Sequence, residues 1–229
     1  SGIVLLETRT GSENRTTQAE VSLVDGGLVA QGPLGSNKTR YMFALRRSFI
    51  DFILPLVIPD TVDLSLTTVP QYWDQQLRVD HELNSKWNLT ASSVGTTDKF
   101  ELFTTKDEDS KAKRFFTQTR FIRLTGAAKY HDGPWSAQLA LSGMLSDLNA
   151  EVGLFQKLKV KTRLITPRVT VARSEEEAFG LKNVVWTAGT EAQVGHSTTD
   201  LATPLERREG EPFPPYDPKD TSSRFKGSV

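Results

Sequence analysis

The sequence predicts an all-β chain, folded as an antiparallel up-and-down meander that forms part of a transmembrane β-barrel. The first observation is alternation: residues 135–147 place apolar side chains such as Leu139 and Leu141 at odd positions, with Gln138 and Ser142 between them. Successive side chains of a strand point to opposite faces, so this strand has an apolar wall and a polar wall. The second observation is length, because a soluble strand averages about 5–6 residues and a tilted bilayer crossing needs about 9–11.

The third observation is the overall composition. Hydrophobic residues make up 37% of the 229 residues, and the mean hydropathy is -0.37. No run approaches the ~18 apolar residues of a transmembrane helix, whereas barrel strands are only half apolar. Lys+Arg and Asp+Glu both number 28, so the net charge gives no argument for a nucleic-acid partner. The absence of cysteine excludes disulfides, thiolate catalysis and the common structural zinc sites.

Alternation and turn residues define the elements in order. Residues 1–16 form a short apolar run that ends at Thr10-Gly11, followed by a polar linker. Residues 17–195 contain about nine barrel-type strands, and residues 196–229, rich in proline and charge, predict a loop or disordered tail. The predicted strands are 18–24, 28–34, 40–49, 71–83, 86–96, 115–130, 135–147, 158–172 and 184–194.

Two of these boundaries depend on special residues. Asp25-Gly26-Gly27 predicts a tight hairpin turn. Within 158–172 the apolar positions change phase between Leu164 and Val169, and Pro167 lies at the change. A β-bulge at Pro167 would explain both features.

The links between strands fall into two classes. Links at 35–39, 84–85, 131–134 and 173–183 lie at one end of the meander. Links at 25–27, 49–70, 97–114, 148–157 and from 196 onward lie at the other, and these include every very long loop. Barrels of the outer membrane have short periplasmic turns and longer external loops.

Aromatic residues predict two girdles at the bilayer interfaces, since their amphipathic rings favour that depth. The alternative explanation is that aromatic residues simply favour strands and cap a soluble core. The predicted periplasmic girdle comprises Tyr41, Trp87, Tyr130, Trp135 and Trp186, and the predicted external girdle comprises Tyr72, Trp73, Phe115 and Phe116.

The alternation also assigns side chains to the two walls of the barrel. Predicted lipid-facing residues are Phe43, Leu45, Leu77, Val79, Leu89, Leu124, Leu139, Leu141 and Ala188. Predicted lumen-facing residues are Arg46, Asp74, Arg78, Asp80, Arg123, Lys129 and Gln138.

The order of several segments resembles the TonB-dependent outer-membrane receptors. The first eleven residues resemble the last strand of such a receptor's plug domain, a small-Gly-hydrophobic run that ends in Thr-Lys/Arg-x-Gly. Later segments resemble the first four barrel strands: Ala19–Leu23, Gly32-Pro33-Leu34-Gly35, Arg46–Asp51 and Pro70–Asp74. The resemblance covers residues 1–96, and the rest matches only as general barrel sequence. The TonB box, most of the plug and the later strands are absent from it.

The resemblance implies a function and a set of partners. It implies the end of a plug and the first part of a barrel of about 22 strands in the bacterial outer membrane. The parent protein would take up a scarce ligand, such as a siderophore, metal chelate, vitamin or glycan, through a plugged barrel. Its implied partners are outer-membrane lipid, the rest of its own barrel and plug, and the TonB-ExbB-ExbD energy complex. Ligand-facing candidates are the loops 49–70, 97–114 and 196–229.

No constellation in the sequence predicts catalysis, a metal or another cofactor. His81, His131 and His196 lack metal-ligand spacing. Asp74, Asp80 and Glu82 share a strand face with Arg78, which favours a charge-balanced lumen wall over paired catalytic carboxylates. We therefore expect neither an enzyme nor a nucleic-acid-binding protein. Two alternatives stay open: a soluble β-sandwich binding module, and an outer-membrane barrel with a surface or motility role.

Overall fold

One antiparallel sheet contains every strand of the computed structural model, which describes residues 9–57, 66–68, 70–104, 113–152, 156–202 and 222–228. The strands are β1 (Thr16–Val21), β2 (Asp25–Leu34), β3 (Ser36–Ser48), β4 (Leu66–Thr68), β5 (Gln71–Glu82), β6 (Trp87–Thr104), β7 (Lys113–Asp132), β8 (Trp135–Val152), β9 (Gln156–Ala178), β10 (Leu181–Glu191), β11 (Val194–Ala202) and β12 (Ser222–Ser228). A helix, α1 (Ile50–Val57), follows β3.

The sheet is a meander, as the sequence predicted. Its order is β1-β2-β3-β5-β6-β7-β8-β9-β11-β12, with β4 paired to β6 and β10 paired to β9. No pair between β1 and β12 closes it among the described strands. All-β architecture and antiparallel meander topology are thus confirmed, and the described sheet is open.

The predicted bulge at Pro167 is wrong. β10 and β11 together occupy one position beside β9, with Glu191 opposite Arg168 and Val194 opposite Ile165. Three positions separate Glu191 from Val194, and three separate Arg168 from Ile165, so neither side has an extra residue. Proline has no N–H to donate, so one hydrogen bond of the ladder is missing while the register is kept. The Pro167 carbonyl still accepts a hydrogen bond from the Ala192 amide at 3.1 Å.

Several segments predicted as loops are strands. β6 and β7 extend into 97–104 and 113–114, β11 runs from Val194 into the predicted tail 196–229, and β12 lies within that tail. Residues 105–112 and 203–221 lie outside the described residues. In 97–104, charged side chains such as Asp98 and Lys99 occupy both faces, so the hydrophobic period that identifies a strand in sequence is missing while the backbone ladder continues.

The turns at the short-turn end are tight. Gly35, with φ 76°, connects β2 to β3. Phe179 and Gly180, with φ 53° and 76°, connect β9 to β10 where a long link was predicted. The positive φ values of the two adjacent residues, Phe179 and Gly180, match a hairpin turn of type I′. At the other end, Asp25 and both following glycines belong to β2, and the turn is closed by the Ser22 amide donating to the Asp25 carbonyl at 2.8 Å.

The described chain forms a single layer with very little interior. Met42, 5% exposed, is its one buried hydrophobic residue. No second sheet covers either face within the described strands. In the same residues, no helix has the length and apolar character needed to cross a membrane.

Candidate functional site

The strand register divides the side chains between two faces, because residues paired across antiparallel strands point to the same side. One row runs through Phe43, Leu77, Ser93, Leu124, Gly143 and Ile165. This side, the apolar face, carries all nine residues predicted to face lipid: Phe43, Leu45, Leu77, Val79, Leu89, Leu124, Leu139, Leu141 and Ala188. The opposite side, the polar face, carries all seven predicted to face the lumen: Arg46, Asp74, Arg78, Asp80, Arg123, Lys129 and Gln138.

The apolar face bears a belt of limited height. On β7 the belt runs from Ile122 to Tyr130, and on β8 from Trp135 to Leu145. These stretches are nine of the 20 residues of β7 and eleven of the 18 residues of β8, and they match the 9–11 residues of a bilayer crossing. At ~3.4 Å per residue and a tilt of ~40°, the β8 stretch rises about 25 Å, the height of the apolar band of a membrane barrel. We call this the apolar belt.

The side chains of the apolar belt are uncovered. Leu124 and Leu139 are each 57% exposed and Leu141 is 56% exposed, and Ile165 beside them is equally open. A contiguous exposed apolar surface that crosses many strands is unusual for a soluble monomer. The strands therefore present their apolar wall outward from the sheet rather than to a core of their own.

Aromatic rings line the short-turn border of the apolar belt. The five residues of the predicted periplasmic girdle all lie on the apolar face: Tyr41, Trp87, Tyr130, Trp135 and Trp186. Trp87 and Tyr130 pack with ring centroids 5.0 Å apart. The Arg173 guanidinium lies over the Trp135 ring at 5.3 Å.

The predicted external girdle does not form one row. Trp73 and Phe116 lie on the apolar face, but Tyr72 and Phe115 lie on the polar face. Consecutive residues of a strand point to opposite sides, so neither adjacent pair can contribute both rings to one surface. Tyr72 instead donates a hydrogen bond to Asp25 at 2.7 Å, and the Phe115 ring packs edge-on against Phe100.

A charged cluster occupies the long-loop end of the polar face. The Arg46 guanidinium donates to the Asp74 carboxylate at 2.7 Å and lies over the Tyr72 ring at 5.0 Å. The Thr96 hydroxyl donates to Asp74 at 2.8 Å. Hydrogen bonds from the hydroxyls of Ser22 and then Tyr72 lower the pKa of the Asp25 carboxyl below its usual range. The paired donors thus favour the charged form of the Asp25 carboxylate.

A second cluster lies at the short-turn end of the polar face. Arg78 donates two hydrogen bonds to Asp80, at 2.7 and 2.9 Å, and the Thr90 hydroxyl donates a third at 2.7 Å. Thr10 and Lys129 line the same hollow. Asp80 and Arg78, which the sequence placed on one strand face, thus form an ion pair.

Residues 9–15, which precede β1, cross this end of the polar face. Gly11 is buried against the backbone of Tyr41, and a Cβ at Gly11 would lie 2.3 Å from the Tyr41 carbonyl oxygen. Only glycine permits this approach. Glu13 forms an ion pair with Arg40 at 3.6 Å. Sequence reasoning identified Thr10-Gly11 as the end of a run but gave no sign of this packing, because the contact joins residues about thirty positions apart.

The predicted ligand-facing loops are only partly described. In 49–70, Asp51 of α1 accepts hydrogen bonds from Arg47 at 3.4 Å and Gln71 at 3.2 Å, which ties the start of the loop to β3 and β5. Residues 58–65 and 69 lie outside the described residues, as do 105–112 of the second loop and 203–221 of the third. The ligand-facing role of all three stays a prediction.

The described residues contain no group of three or more His, Cys, Asp or Glu side chains suited to a metal ion. The ring of His81 is occupied by a hydrogen bond with the Thr39 hydroxyl at 2.9 Å. What the arrangement can do is present one surface to an apolar medium and the other to a polar one.

No protein-family model matches the chain. No curated protein is significantly similar to it.

Proposed function

We propose that this chain is a segment of a TonB-dependent outer-membrane receptor: the end of a plug and its linker, followed by the first strands of a barrel of about 22. The uncovered apolar belt is the observation that carries the proposal. A belt of bilayer height on one face, with paired charges on the other, is the side-chain distribution of a barrel wall. Lipid would then cover the leucines that the described residues leave open.

The position of residues 9–15 supports the receptor interpretation over other barrels. This segment lies on the polar face, near Arg40 and Tyr41, before the chain enters β1. A linker from a plug inside the barrel reaches the first strand from that side. Among the described strands, the outer edges of β1 and β12 have no partner, which is likewise consistent with further strands, since open edges do not persist in hydrocarbon.

In this proposal, the polar face lines the lumen and the long-loop end faces outward from the cell. The parent protein binds a scarce small molecule or glycan at the long loops. It admits the ligand when the TonB-ExbB-ExbD complex acts on the plug. The soluble β-sandwich needs a second layer over the apolar belt, and the described part of the chain contains no such layer.

Cysteine scanning tests the barrel wall directly, because these 229 residues contain no cysteine to react in the background. Single substitutions from Ala137→Cys to Gly143→Cys are made in the full-length gene product and probed in membranes with a water-soluble maleimide. We expect Gln138→Cys and Ser142→Cys to react and Leu139→Cys and Leu141→Cys to be protected. Equal reactivity at all four positions would refute the membrane wall.

The receptor assignment has a separate test in the gene itself. We expect the reading frame to encode a plug with a TonB box upstream of Ser1 and further alternating strands downstream of Val229. A reading frame that contains neither would refute the receptor while leaving the result of the cysteine scan intact.

A further inference from the structure

The apolar belt ends differently at its long-loop border than at its short-turn border. The next outward row contains Arg120 of β7, Asp147 of β8 and Lys161 of β9, which lie opposite one another in the register. Arg163 lies opposite Leu145, at the last row of the belt. A group of basic side chains therefore begins where the apolar surface stops.

These cations are not neutralised by their surroundings. Arg120, Lys161 and Arg163 are exposed, and none of them forms an ion pair with any residue that the structure describes. A single carboxylate, Asp147, lies among the three. We call Arg120, Lys161 and Arg163 the border cations.

Three other cations, by contrast, have carboxylate partners. Farther along the same face, Lys157 pairs with Glu151 at 3.6 Å and Lys99 with Glu101 at 3.1 Å. At the short-turn border, Lys86 pairs with Asp132 at 2.7 Å. Unpaired like charges repel in a folded protein, so a cluster kept at one border indicates an anionic partner there.

We propose that the border cations bind the phosphate groups of anionic lipid in the leaflet at the long-loop end. This inference rests on the proposed membrane wall. Lipid whose acyl chains cover the apolar belt brings its phosphates to the border of that belt, at the level of these side chains. Long basic side chains at such a border extend their charged groups toward the headgroups while their stems stay on apolar surface.

The spacing suits phosphate recognition. Strands lie about 4.8 Å apart, so the backbones of Arg120 and Lys161 are about 10 Å apart, and Arg163 follows Lys161 by about 7 Å along β9. Side chains of this length can converge on one phosphate or hold two neighbouring ones. Arginine donates a planar fork that matches phosphate oxygens, and lysine adds a compact charge.

The test uses the full-length gene product in vesicles of neutral phosphatidylcholine that contain one-tenth phosphatidic acid. Insertion is checked first by flotation. Native mass spectrometry then counts the phosphatidic acid that remains bound after extraction. The test variant is Arg120→Gln/Lys161→Gln/Arg163→Gln. The matched control, Lys86→Gln/Lys99→Gln/Lys157→Gln, removes the same charge from cations that each have a carboxylate partner.

We expect bound phosphatidic acid to fall at least fivefold in the test variant and to stay within twofold in the control. Equal retention in all three proteins, or equal loss in both variants, overturns the inference. Displacement of the lipid by millimolar inorganic phosphate would indicate a site for free phosphate and would also overturn it. A protein that fails to enter vesicles refutes the membrane wall itself, whereas one that inserts without lipid selectivity refutes only the border site.

Discussion

The two borders of the apolar belt use different chemistry on the same strands. At the short-turn border, β6, β7 and β8 end in packed rings, with Trp87 and Tyr130 5.0 Å apart. At the long-loop border, the same strands continue with Arg120 and Asp147 on the outward face. Alternation persists through both borders, so a period of two identifies the strand but not the medium that its outward face meets. The residue type at each border carries that information.

The largest effect is expected where the belt is farthest from both borders. In a lipid bilayer, Leu141→Arg should cost about 2–4 kcal/mol of folding stability, whereas Leu145→Arg, at the long-loop border, should cost about 1 kcal/mol or less. Denaturant unfolding in vesicles measures both. Ser142→Arg, on the polar face, is the control. Similar costs for Leu141→Arg and Leu145→Arg would contradict a belt that is deepest near Leu141.

The short-turn end also differs on its polar face, where residues 9–15 lie against the sheet. Gly11→Ala places a methyl group against the Tyr41 backbone, so we expect a loss of about 1–3 kcal/mol or release of this segment, measured as faster amide exchange at residues 9–15. Gly126→Ala is the control, because no atom lies within 4 Å of its added Cβ. Equal behaviour of the two variants would show that the segment is not packed at Gly11.

Double-mutant cycles compare the aromatic contacts of the two borders. The Trp87–Tyr130 pair should give a coupling of about 0.5–1.5 kcal/mol. At the long-loop border, Arg47 lies over the Trp73 ring at 4.8 Å, and this pair should give about 0.5–1 kcal/mol. Arg47→Gln keeps a similar side-chain length but removes the charge, so it should abolish the interaction with the Trp73 ring. The Trp87–Tyr130 coupling should be the same in the Arg47→Gln background. A coupling of zero between Trp87 and Tyr130 would contradict the ring packing at the short-turn border.

The smallest effect concerns the turns beyond the short-turn border. The Lys86 ammonium donates to Asp132, followed by the Tyr130 hydroxyl, and together they lower the pKa of the Asp132 carboxyl, while Asp132 raises the pKa of Lys86. The contribution of Asp132 to folding stability is therefore fully present above the pKa of an unfolded aspartate, about 3.9. It is lost as the pH falls through the lower pKa of the folded state. The contribution of Lys86 to folding stability is fully present below the pKa of an unfolded lysine, about 10.4. It is lost as the pH rises through the higher pKa of the folded state.

Carbon-13 titration of the Asp132 carboxyl measures this pair. We expect a midpoint below that of an unfolded aspartate, and Lys86→Gln should move it upward. Asp25, at the opposite end of the sheet, should keep the same lowered pKa in both proteins. An unchanged Asp132 midpoint would mean that the pair is not formed in solution.

Particular residues show why the sequence predicted some elements and missed others. Leu139 and Gln138 were assigned to opposite faces correctly, because strand geometry fixes that relation locally. The strand at 97–104 was missed because its charged residues, such as Asp98 and Lys99, fall on both faces. Tyr72 and Phe115 were grouped with their neighbours by distance along the chain, although adjacent strand residues point apart.

The sequence by itself determined the strand-forming segments, the two-faced walls and the meander, since each follows from backbone periodicity and from short links between neighbours. Only the tertiary structure decided the contacts that join distant segments: Gly11 against Tyr41, the unbroken register past Pro167, and the row that brings Arg120 and Lys161 to either side of Asp147. These depend on which residues come opposite one another across strands. Register fixes that pairing, and no local pattern in the chain specifies it.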